Sequence, residues 1–205
     1  MYNCIIFDVD GTLMDTEAAV YASYKKVFKE LLNRDFGPEN MKVCYGVPTR
    51  QAIANFCVKN IDEFCNAYVN ALLESYNDVN AFEGVFEMLD EVKNRNLVTG
   101  IVTSRNKTEV YEDLRLTKIK SYMKYIVCSN DTEKHKPDPE PVFKFLELSG
   151  ADNKKTIYLG DTIFDASCAA GANVPFALAL WGARNPENIK ADYYLEKPGD
   201  LLKLL

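Results

Sequence analysis

The chain has 205 residues, 47% of them hydrophobic and 26% charged, a balance typical of a globular protein with its own apolar core. Its 24 lysines and arginines against 30 aspartates and glutamates give a net charge of −6, which argues against a nucleic-acid or anionic-membrane partner. No apolar run approaches the ~18 residues of a membrane span, and the N-terminus does not resemble a signal peptide, so we expect a cytoplasmic protein.

The cysteines indicate neither a zinc site nor a disulfide framework. There are six, and no pair forms a CxxC motif. Most lie among apolar neighbours, so we interpret them as buried, reduced thiols. The single histidine, His135, gives little basis for a Cys–His or Ser–His mechanism.

Short apolar runs rich in Ile, Val and aromatic residues predict strands that are buried on both faces. Between them, Val85, Met88, Leu89 and Val92 recur at the spacing of one helix face, and a second helical pattern follows Asp138 and Pro139. Strands that alternate with helices indicate an α/β fold with an open, parallel, Rossmann-like sheet. The predicted strands are 4–9, 98–103, 125–128, 156–159 and 176–180.

The segment between the first two strands is too long for one crossover helix. Its pattern predicts helices over 17–32, 48–58 and 61–76. We therefore expect residues 16–80 to form an inserted α-helical cap, and residues 1–15 and 81–205 to form the α/β core. The aromatic residues of the insert are interpreted as its own small core.

Polar residues that can carry chemistry follow four of the predicted strands. In an open α/β sheet, ligands bind beyond the carboxyl ends of the strands, so these residues are expected to converge. Gly11 permits a sharp exit from the first strand, and the segment after the second places hydroxyls and backbone N–H groups at a helix start. The residues are Asp8 and Asp10, Thr103 and Ser104, Lys136, and Asp161 and Asp165.

Each cluster alone has an ordinary explanation as a turn, a helix cap or a surface charge. Together and in this order they resemble the haloacid dehalogenase-like superfamily of hydrolases, in its phosphatase branch with a helical cap, the phosphoglycolate phosphatase-like group. The four motifs of that family correspond to Asp8–Thr12, Thr103, Lys136-Pro137 and Gly160–Asp165.

The resemblance implies a Mg²⁺-dependent phosphatase acting on a small phosphorylated substrate. The metal ligands would be the Asp8 carboxylate, the Asp10 carbonyl and Asp161, while Asp165 would mainly orient water or Lys136. Asp8 would attack phosphorus to give an aspartyl-phosphate, and Asp10 would act as acid and base, with a pKa raised by neighbouring carboxylates.

Phosphate binding is implied for another set of residues. By the same resemblance, Thr103, Ser104 and Lys136 would hold the phosphoryl group. Arg50 begins a predicted helix of the cap after Gly46 and Pro48, and it would grip the distal end of the substrate when the cap closes. These residues leave several substrates open, namely phosphoglycolate, pyrophosphate, sugar phosphates and nucleoside monophosphates. They also give no indication of the oligomeric state.

Three alternatives are separated by particular residues. True dehalogenases lack an acid at the position of Asp10, whereas a phosphomutase similar to beta-phosphoglucomutase keeps it but commonly has Glu at the position of Gly160. A phosphate-accepting regulatory protein without turnover would have adjacent acidic residues after strand one, and here Val9 separates them. These differences favour hydrolysis of a phosphate ester or anhydride.

Overall fold

The computed structural model describes residues 1–75 and 79–205. Its centre is a parallel sheet of six strands in the order β3-β2-β1-β4-β5-β6. This confirms the predicted open parallel sheet of an α/β fold. The strands are Cys4–Phe7 (β1), Val98–Val102 (β2), Tyr125–Val127 (β3), Thr156–Gly160 (β4), Phe176–Ala179 (β5) and Tyr193–Leu195 (β6).

The central strand β1 shows why these short runs are so apolar. All four of its residues are buried, with Ile5 and Phe7 in one hydrophobic cluster and Cys4 and Ile6 in the other, because successive side chains point to opposite faces. The sixth strand was not predicted. Tyr193–Leu195 has only three residues, of which Tyr194 is exposed and Leu195 alone is buried, and it lies at the sheet edge, so its apolar signal is weak.

Helices cover both faces of the sheet and fill the insert. The four periodic residues from Val85 to Val92 are all buried. The helix after β3 begins at Glu140, with Pro139 as its N-cap, and the Asp138 carboxylate accepts a hydrogen bond from Glu140 N (3.0 Å). The helices are Glu17–Leu32 (α1), Thr49–Ala54 (α2), Ile61–Glu74 (α3), Val85–Asn94 (α4), Lys107–Tyr111 (α5), Leu116–Lys120 (α6), Glu140–Ser149 (α7) and Ile163–Gly171 (α8).

The predicted insert, residues 16–80, which is called the inserted segment below, contains α1, α2 and α3. The predicted helix 17–32 is confirmed, but the one expected over 48–58 ends at Ala54, and Cys57 then takes a left-handed conformation (φ 56°) that an α-helix does not allow. The third helix is observed to Glu74, and its predicted end at Tyr76 lies outside the described residues.

Aromatic rings pack on one another inside the inserted segment. Tyr24 stacks on Phe36 with ring centroids 5.2 Å apart and lies 4.5 Å from the ring of Tyr68, while Phe28 meets Phe64 edge to face at 5.2 Å. These rings are nearly inaccessible to solvent, as expected for a core. No helix in the described part of the chain is long and apolar enough to cross a membrane.

Candidate active site

Asp8 lies at the carboxyl end of β1, directly beside Lys136. Its backbone N–H donates to the carbonyl of Leu159 (2.9 Å), so the pairing of β1 with β4 continues to this residue. Its side chain is buried, and Asp8 Oδ1 accepts a hydrogen bond from Lys136 Nζ (2.8 Å). The topology thus brings together two residues that are 128 positions apart in the sequence.

Asp165 fixes Lys136 from the other side. Lys136 Nζ donates to Asp165 Oδ1 (2.6 Å), and the Tyr158 hydroxyl donates to the same oxygen (2.9 Å). The second oxygen, Asp165 Oδ2, accepts from the backbone N–H of Thr162 (3.0 Å) in a capping box that begins α8. Both oxygens of Asp165 therefore have protein partners, which suits the predicted role of orienting Lys136.

Asp161 differs from its neighbours because one of its oxygens is free. Thr12 Oγ1 donates to Asp161 Oδ1 (2.9 Å), whereas Asp161 Oδ2 is buried and has no hydrogen-bond partner among the described residues. One carboxylate oxygen from each of Asp8, Asp161 and Asp165 lies within 4.8 Å of the others. A buried, unpartnered oxygen in a cluster of carboxylates fits a hard cation such as Mg²⁺.

The electrostatics of this carboxylate cluster also favour the binding of a cation. Burial raises the pKa of Asp8 to about 7, against the lowering influence of Lys136, and burial with the nearby Asp165 raises the pKa of Asp161 well above its usual range. Burial alone would lower the pKa of Lys136, but Asp165 and Asp8 raise it instead. Bringing these carboxylates together thus carries an electrostatic cost that a bound cation would offset.

The loop after Asp8 is tightly packed around Gly11. Gly11 has φ +80°, and a Cβ built on it would overlap the carboxylate of Asp161 and lie 2.6 Å from the hydroxyl of Tyr45. Trp181 Nε1 donates to the carbonyl of Thr12 (2.9 Å), and a Cβ on Gly182 would overlap the carbonyl of Gly11. This close packing holds the loop that carries Asp8 and Asp10 against Asp161.

Thr103 and Ser104 follow β2 beside the same loop. Thr103 is buried, and its Oγ1 accepts a hydrogen bond from the backbone N–H of Arg105 (3.2 Å). Ser104 Oγ donates to the carbonyl of Gly46 in the inserted segment (2.8 Å). The next helix starts at Lys107, with Asn106 as N-cap. The Ser104 hydroxyl therefore joins the insert to the sheet in this conformation.

Asp10 forms a bidentate ion pair with Arg105. Arg105 Nε donates to Asp10 Oδ2 (2.8 Å), and Arg105 Nη2 donates to Asp10 Oδ1 (2.7 Å). Burial alone would raise the pKa of Asp10, but the guanidinium lowers it below its ordinary value. The prediction that neighbouring carboxylates raise the pKa of Asp10 is therefore wrong for this structure, because a cation holds both of its oxygens.

A cavity of about 60 Å³ lies between the inserted segment and the end of the sheet. Asp8, Asp10 and Arg105 line it from the sheet, and Tyr24 and Tyr45 line it from the insert. A separate cavity of about 350 Å³ reaches Asp161 from the far side of Tyr45. Both cavities give small molecules a place next to the carboxylate cluster.

Arg50 lies at the start of α2, away from the carboxylates. Its side chain is 63% exposed and forms an ion pair with Asp62 on α3. It lines a cavity of about 360 Å³ whose wall includes Ser104 and Glu109, residues that also line the cavity beside Asp8. Arg50 thus borders the neighbouring cavity, and its predicted contact with substrate stays a prediction.

The sequence did not single out two side chains that hold this site together. Tyr158 belongs to an apolar strand run, where its ring has an ordinary packing role and its hydroxyl gives no separate signal. Arg105 follows Thr103-Ser104 in the sequence, but a pattern of single residues does not reveal its pairing with Asp10. The distance of 95 residues between the two partners explains why.

Comparisons with known proteins agree on one family. A family model described as haloacid dehalogenase-like hydrolase matches residues 5–179. Pyrophosphatase PpaX of Bacillus velezensis is 32% identical over 204 residues, covering 98% of this chain and 94% of that protein. Pyrophosphatase PpaX of Oceanobacillus iheyensis is 31% identical over 205 residues, covering 98% and 95%.

Solved structures with the same fold include two phosphate-related proteins. The crystal structure of a candidate phosphoglycolate phosphatase from Lactobacillus plantarum superposes with a TM-score of 0.90 at 27% identity, covering 100% of both chains. The structure of CbbY from Rhodobacter sphaeroides in complex with phosphate gives a TM-score of 0.87 at 19% identity, covering 98% of this chain and 96% of that one.

Proposed function

The chain belongs to the haloacid dehalogenase-like hydrolase family, in its phosphatase branch, and from this premise we propose that it is a Mg²⁺-dependent phosphatase of a small phosphorylated metabolite that acts through a phosphorylated Asp8. One observation carries the proposal. Buried Asp8 is hydrogen-bonded to Lys136 within a cluster of carboxylates, one of which, Asp161, has a buried oxygen without a hydrogen-bond partner in residues 1–75 and 79–205.

The proposed reaction has two steps. A carboxylate oxygen of Asp8 forms a bond to phosphorus while the bond from phosphorus to the leaving oxygen breaks, and Asp10 gives that oxygen a proton. A water then attacks the phosphorus of the aspartyl-phosphate, Asp10 takes the proton, and phosphate and free Asp8 are released. The incoming phosphoryl dianion favours the protonated form of Asp10, because like charge disfavours a carboxylate.

The remaining residues bind charge and orient groups. Asp8, Asp161 and the Asp10 carbonyl would hold Mg²⁺, with Asp165 beside them. When bound, the ion neutralises phosphoryl oxygens and so makes phosphorus accessible to an anionic nucleophile. Lys136 lowers the pKa of Asp8 against the effect of burial and so favours the ionised form that attacks phosphorus.

The phosphoryl group itself would be held at the end of β2. Thr103 accepts a bond from Arg105 N and so can donate its own proton to a phosphoryl oxygen. Ser104 would contribute its backbone N–H, since its hydroxyl donates to Gly46.

The cavity beside Asp8 supports a small leaving group. Its volume of about 60 Å³ is much smaller than the 350 Å³ of the neighbouring cavity that reaches Asp161. A phosphate or a two-carbon acid fits such a space better than a sugar or a nucleoside. We therefore propose pyrophosphate and phosphoglycolate, the compounds in the names of similar proteins, as the first substrates to test. We also propose that the protein acts in the cytoplasm.

Gly160 supports hydrolysis over a phosphomutase reaction. A Cβ built on Gly160 would lie 2.6 Å from Cβ of Asp165, so the chain has no room there for the Glu that phosphomutases of this type commonly carry. The packing of Asp165 against β4 thus supports the proposal that the phosphoryl group is transferred to water.

The test is phosphate release from the purified protein over a panel of small phosphate compounds, with and without Mg²⁺. We expect turnover that stops on chelation and returns with Mg²⁺, and no measurable turnover by Asp8→Asn, because an amide is a poor nucleophile. Asp90→Asn on α4, an exposed carboxylate, is the matched control and keeps full activity. Activity that survives in Asp8→Asn contradicts the covalent mechanism.

A further inference from the structure

Arg105 is a buried cation that the proposed reaction does not use directly. Its side chain is 6% exposed, and its fork meets both oxygens of Asp10 at 2.7 and 2.8 Å. A parallel pair of charge-assisted hydrogen bonds fixes the plane of a carboxylate as well as its position. Asp10 itself is 26% exposed, and both partners of this ion pair line the cavity beside Asp8.

Arg105 is in turn anchored by residues that lie outside the cavity. Its third nitrogen, Nη1, donates to Asp113 Oδ2 (2.9 Å), and Asp113 is 1% exposed. Asp113 Oδ1 accepts from the backbone N–H (3.0 Å) and from Nε (2.8 Å) of Arg115, at the start of α6. Alternating charges thus connect Asp10 to the segment between α5 and α6.

We propose that Arg105 is a positioning residue, held by Asp113, that keeps the Asp10 carboxylate aimed at the leaving-group oxygen. The inference rests on the proposed function, in which Asp10 carries the proton. A proton donor displaced by an ångström loses much of its effect, so a rigid support for its carboxylate contributes directly to the rate. Lys in place of Arg keeps the charge but offers one nitrogen, which cannot form the two parallel bonds.

A role in substrate binding would use the same residue differently. Each of the three guanidinium nitrogens of Arg105 already donates to a carboxylate, Nε and Nη2 to Asp10 and Nη1 to Asp113. A positioning role therefore predicts a loss in kcat with KM nearly unchanged, whereas a substrate ligand would raise KM.

The experiment compares two leaving groups in Arg105→Lys. p-Nitrophenyl phosphate releases a phenolate that needs no proton, whereas an alkyl phosphate releases an alkoxide that does. With the alkyl phosphate that the wild type hydrolyses fastest, we expect kcat to fall about 10- to 100-fold, less than the ~10²–10⁴-fold expected when an acid is removed. With p-nitrophenyl phosphate, kcat should change by less than about threefold.

The Asp10→Asn background separates a positioning role from general damage. If Arg105 acts through Asp10, adding Arg105→Lys to Asp10→Asn causes no further selective loss on the alkyl phosphate. Arg95→Lys, at an arginine that contacts Glu91 and a backbone carbonyl far from the site, is the control for changing a structural arginine. Should Arg105→Lys fail to fold, Asp113→Asn carries the same comparison with a smaller loss.

The kinetic results distinguish a positioning role of Arg105 from the other possibilities. A selective loss on the alkyl phosphate that vanishes in the Asp10→Asn background supports the inference. Equal losses on both substrates, additive losses with Asp10→Asn, or wild-type kinetics overturn it. Failure of the proposed function itself has a different signature, namely no hydrolysis by the wild type or full activity of Asp8→Asn.

Discussion

Four aspartates around the site have the same side chain and differ in what their oxygens contact. Asp8 shares Lys136 with Asp165, Asp10 is held by Arg105, and Asp161 has one oxygen with no partner in the part of the chain that the structure describes. A carboxylate held by a guanidinium, one held by an ammonium group and one left free have different proton affinities and different capacities to bind a cation. The assignment of roles among them thus follows from their partners.

Gly11 makes a prediction that can be checked against a matched glycine. Gly11→Ala places a methyl group on the carboxylate of Asp161 and strains a backbone with φ +80°, so we expect loss of activity together with a clear fall in stability. Gly150→Ala imposes a similar strain at φ +67°, but nothing lies within 4 Å of the new methyl group. It should cost about 1–2 kcal/mol and leave kcat unchanged.

Urea unfolding and phosphate release measure the two effects separately. If Gly11→Ala kept wild-type kcat, the contact between this loop and Asp161 would have no bearing on the site. If both variants lost equal stability and neither lost activity, backbone strain alone would explain the result.

At single positions, the sequence predicts the site where the chemistry depends on a strand end. Asp8, Thr103, Lys136 and Asp161 are expected to converge because parallel strands end at one edge. Asp8 lies beside Lys136 and close to Asp161, and Thr103 follows β2, the neighbour of β1. The bond from Arg105 to Asp10 was not predictable in this way. It depends on how a side chain leaves the loop after β2, and no local pattern encodes that direction.

Among the elements, the strands and long helices follow their sequence patterns, while short segments are decided by packing. The pattern for α1 gives both of its ends, since residues at helical spacing from Ala19 to Phe28 form a buried face within its 16 residues. The pattern for α2 overestimates its length, because the chain turns at Cys57 to pack Phe56 and Val58 against the apolar core. Periodicity over so few residues does not specify where a helix stops.

The helix α2 carries the prediction for Arg50. If Arg50 grips the distal end of the substrate, Arg50→Ala raises KM about tenfold for an anionic substrate such as phosphoglycolate, through the loss of a charge-assisted hydrogen bond. p-Nitrophenyl phosphate has no distal anion, so its KM should hardly change. Steady-state kinetics on the two substrates gives the comparison.

Asp62→Asn provides the control for this element. It removes the partner of Arg50 on α3 but keeps the guanidinium, so the ion pair is lost in both variants. A KM effect confined to Arg50→Ala assigns the residue to substrate binding. Identical kinetics in the two variants would restrict Arg50 to pairing α2 with α3.

At the scale of the whole molecule, the carboxylate cluster links the stability of the folded protein to the binding of a cation. Buried Asp8, Asp161 and Asp165 face one another with Lys136 between two of them. Any cation that binds the folded state alone stabilises it by mass action, by about 2.7 kcal/mol at 100 times its Kd. For a protein of this size that corresponds to a rise in Tm of roughly 5–10 °C.

We therefore expect saturating Mg²⁺ to raise the Tm of the wild type, and Asp161→Asn to abolish this rise. The metal-free variant should be at least as stable as the metal-free wild type. The substitution removes a buried carboxylate oxygen, Asp161 Oδ2, that has no hydrogen-bond partner in the described chain. Differential scanning calorimetry with Mg²⁺ and with chelator decides this without measuring activity. A Mg²⁺-dependent rise that persists in Asp161→Asn would place the ion elsewhere.

The contact of Trp181 and Gly182 with the loop after β1 has a consequence for synthesis on the ribosome. The nascent chain presents Asp8 and Asp10 first, then Lys136 and Asp161, while the indole that donates to Thr12 emerges 169 residues after its acceptor. The acidic loop is therefore translated early but gains its final support only when β5 and the residues after it have left the exit tunnel. A nascent chain that stops short of Trp181 therefore lacks the hydrogen bond from the indole to the carbonyl of Thr12 that supports this loop.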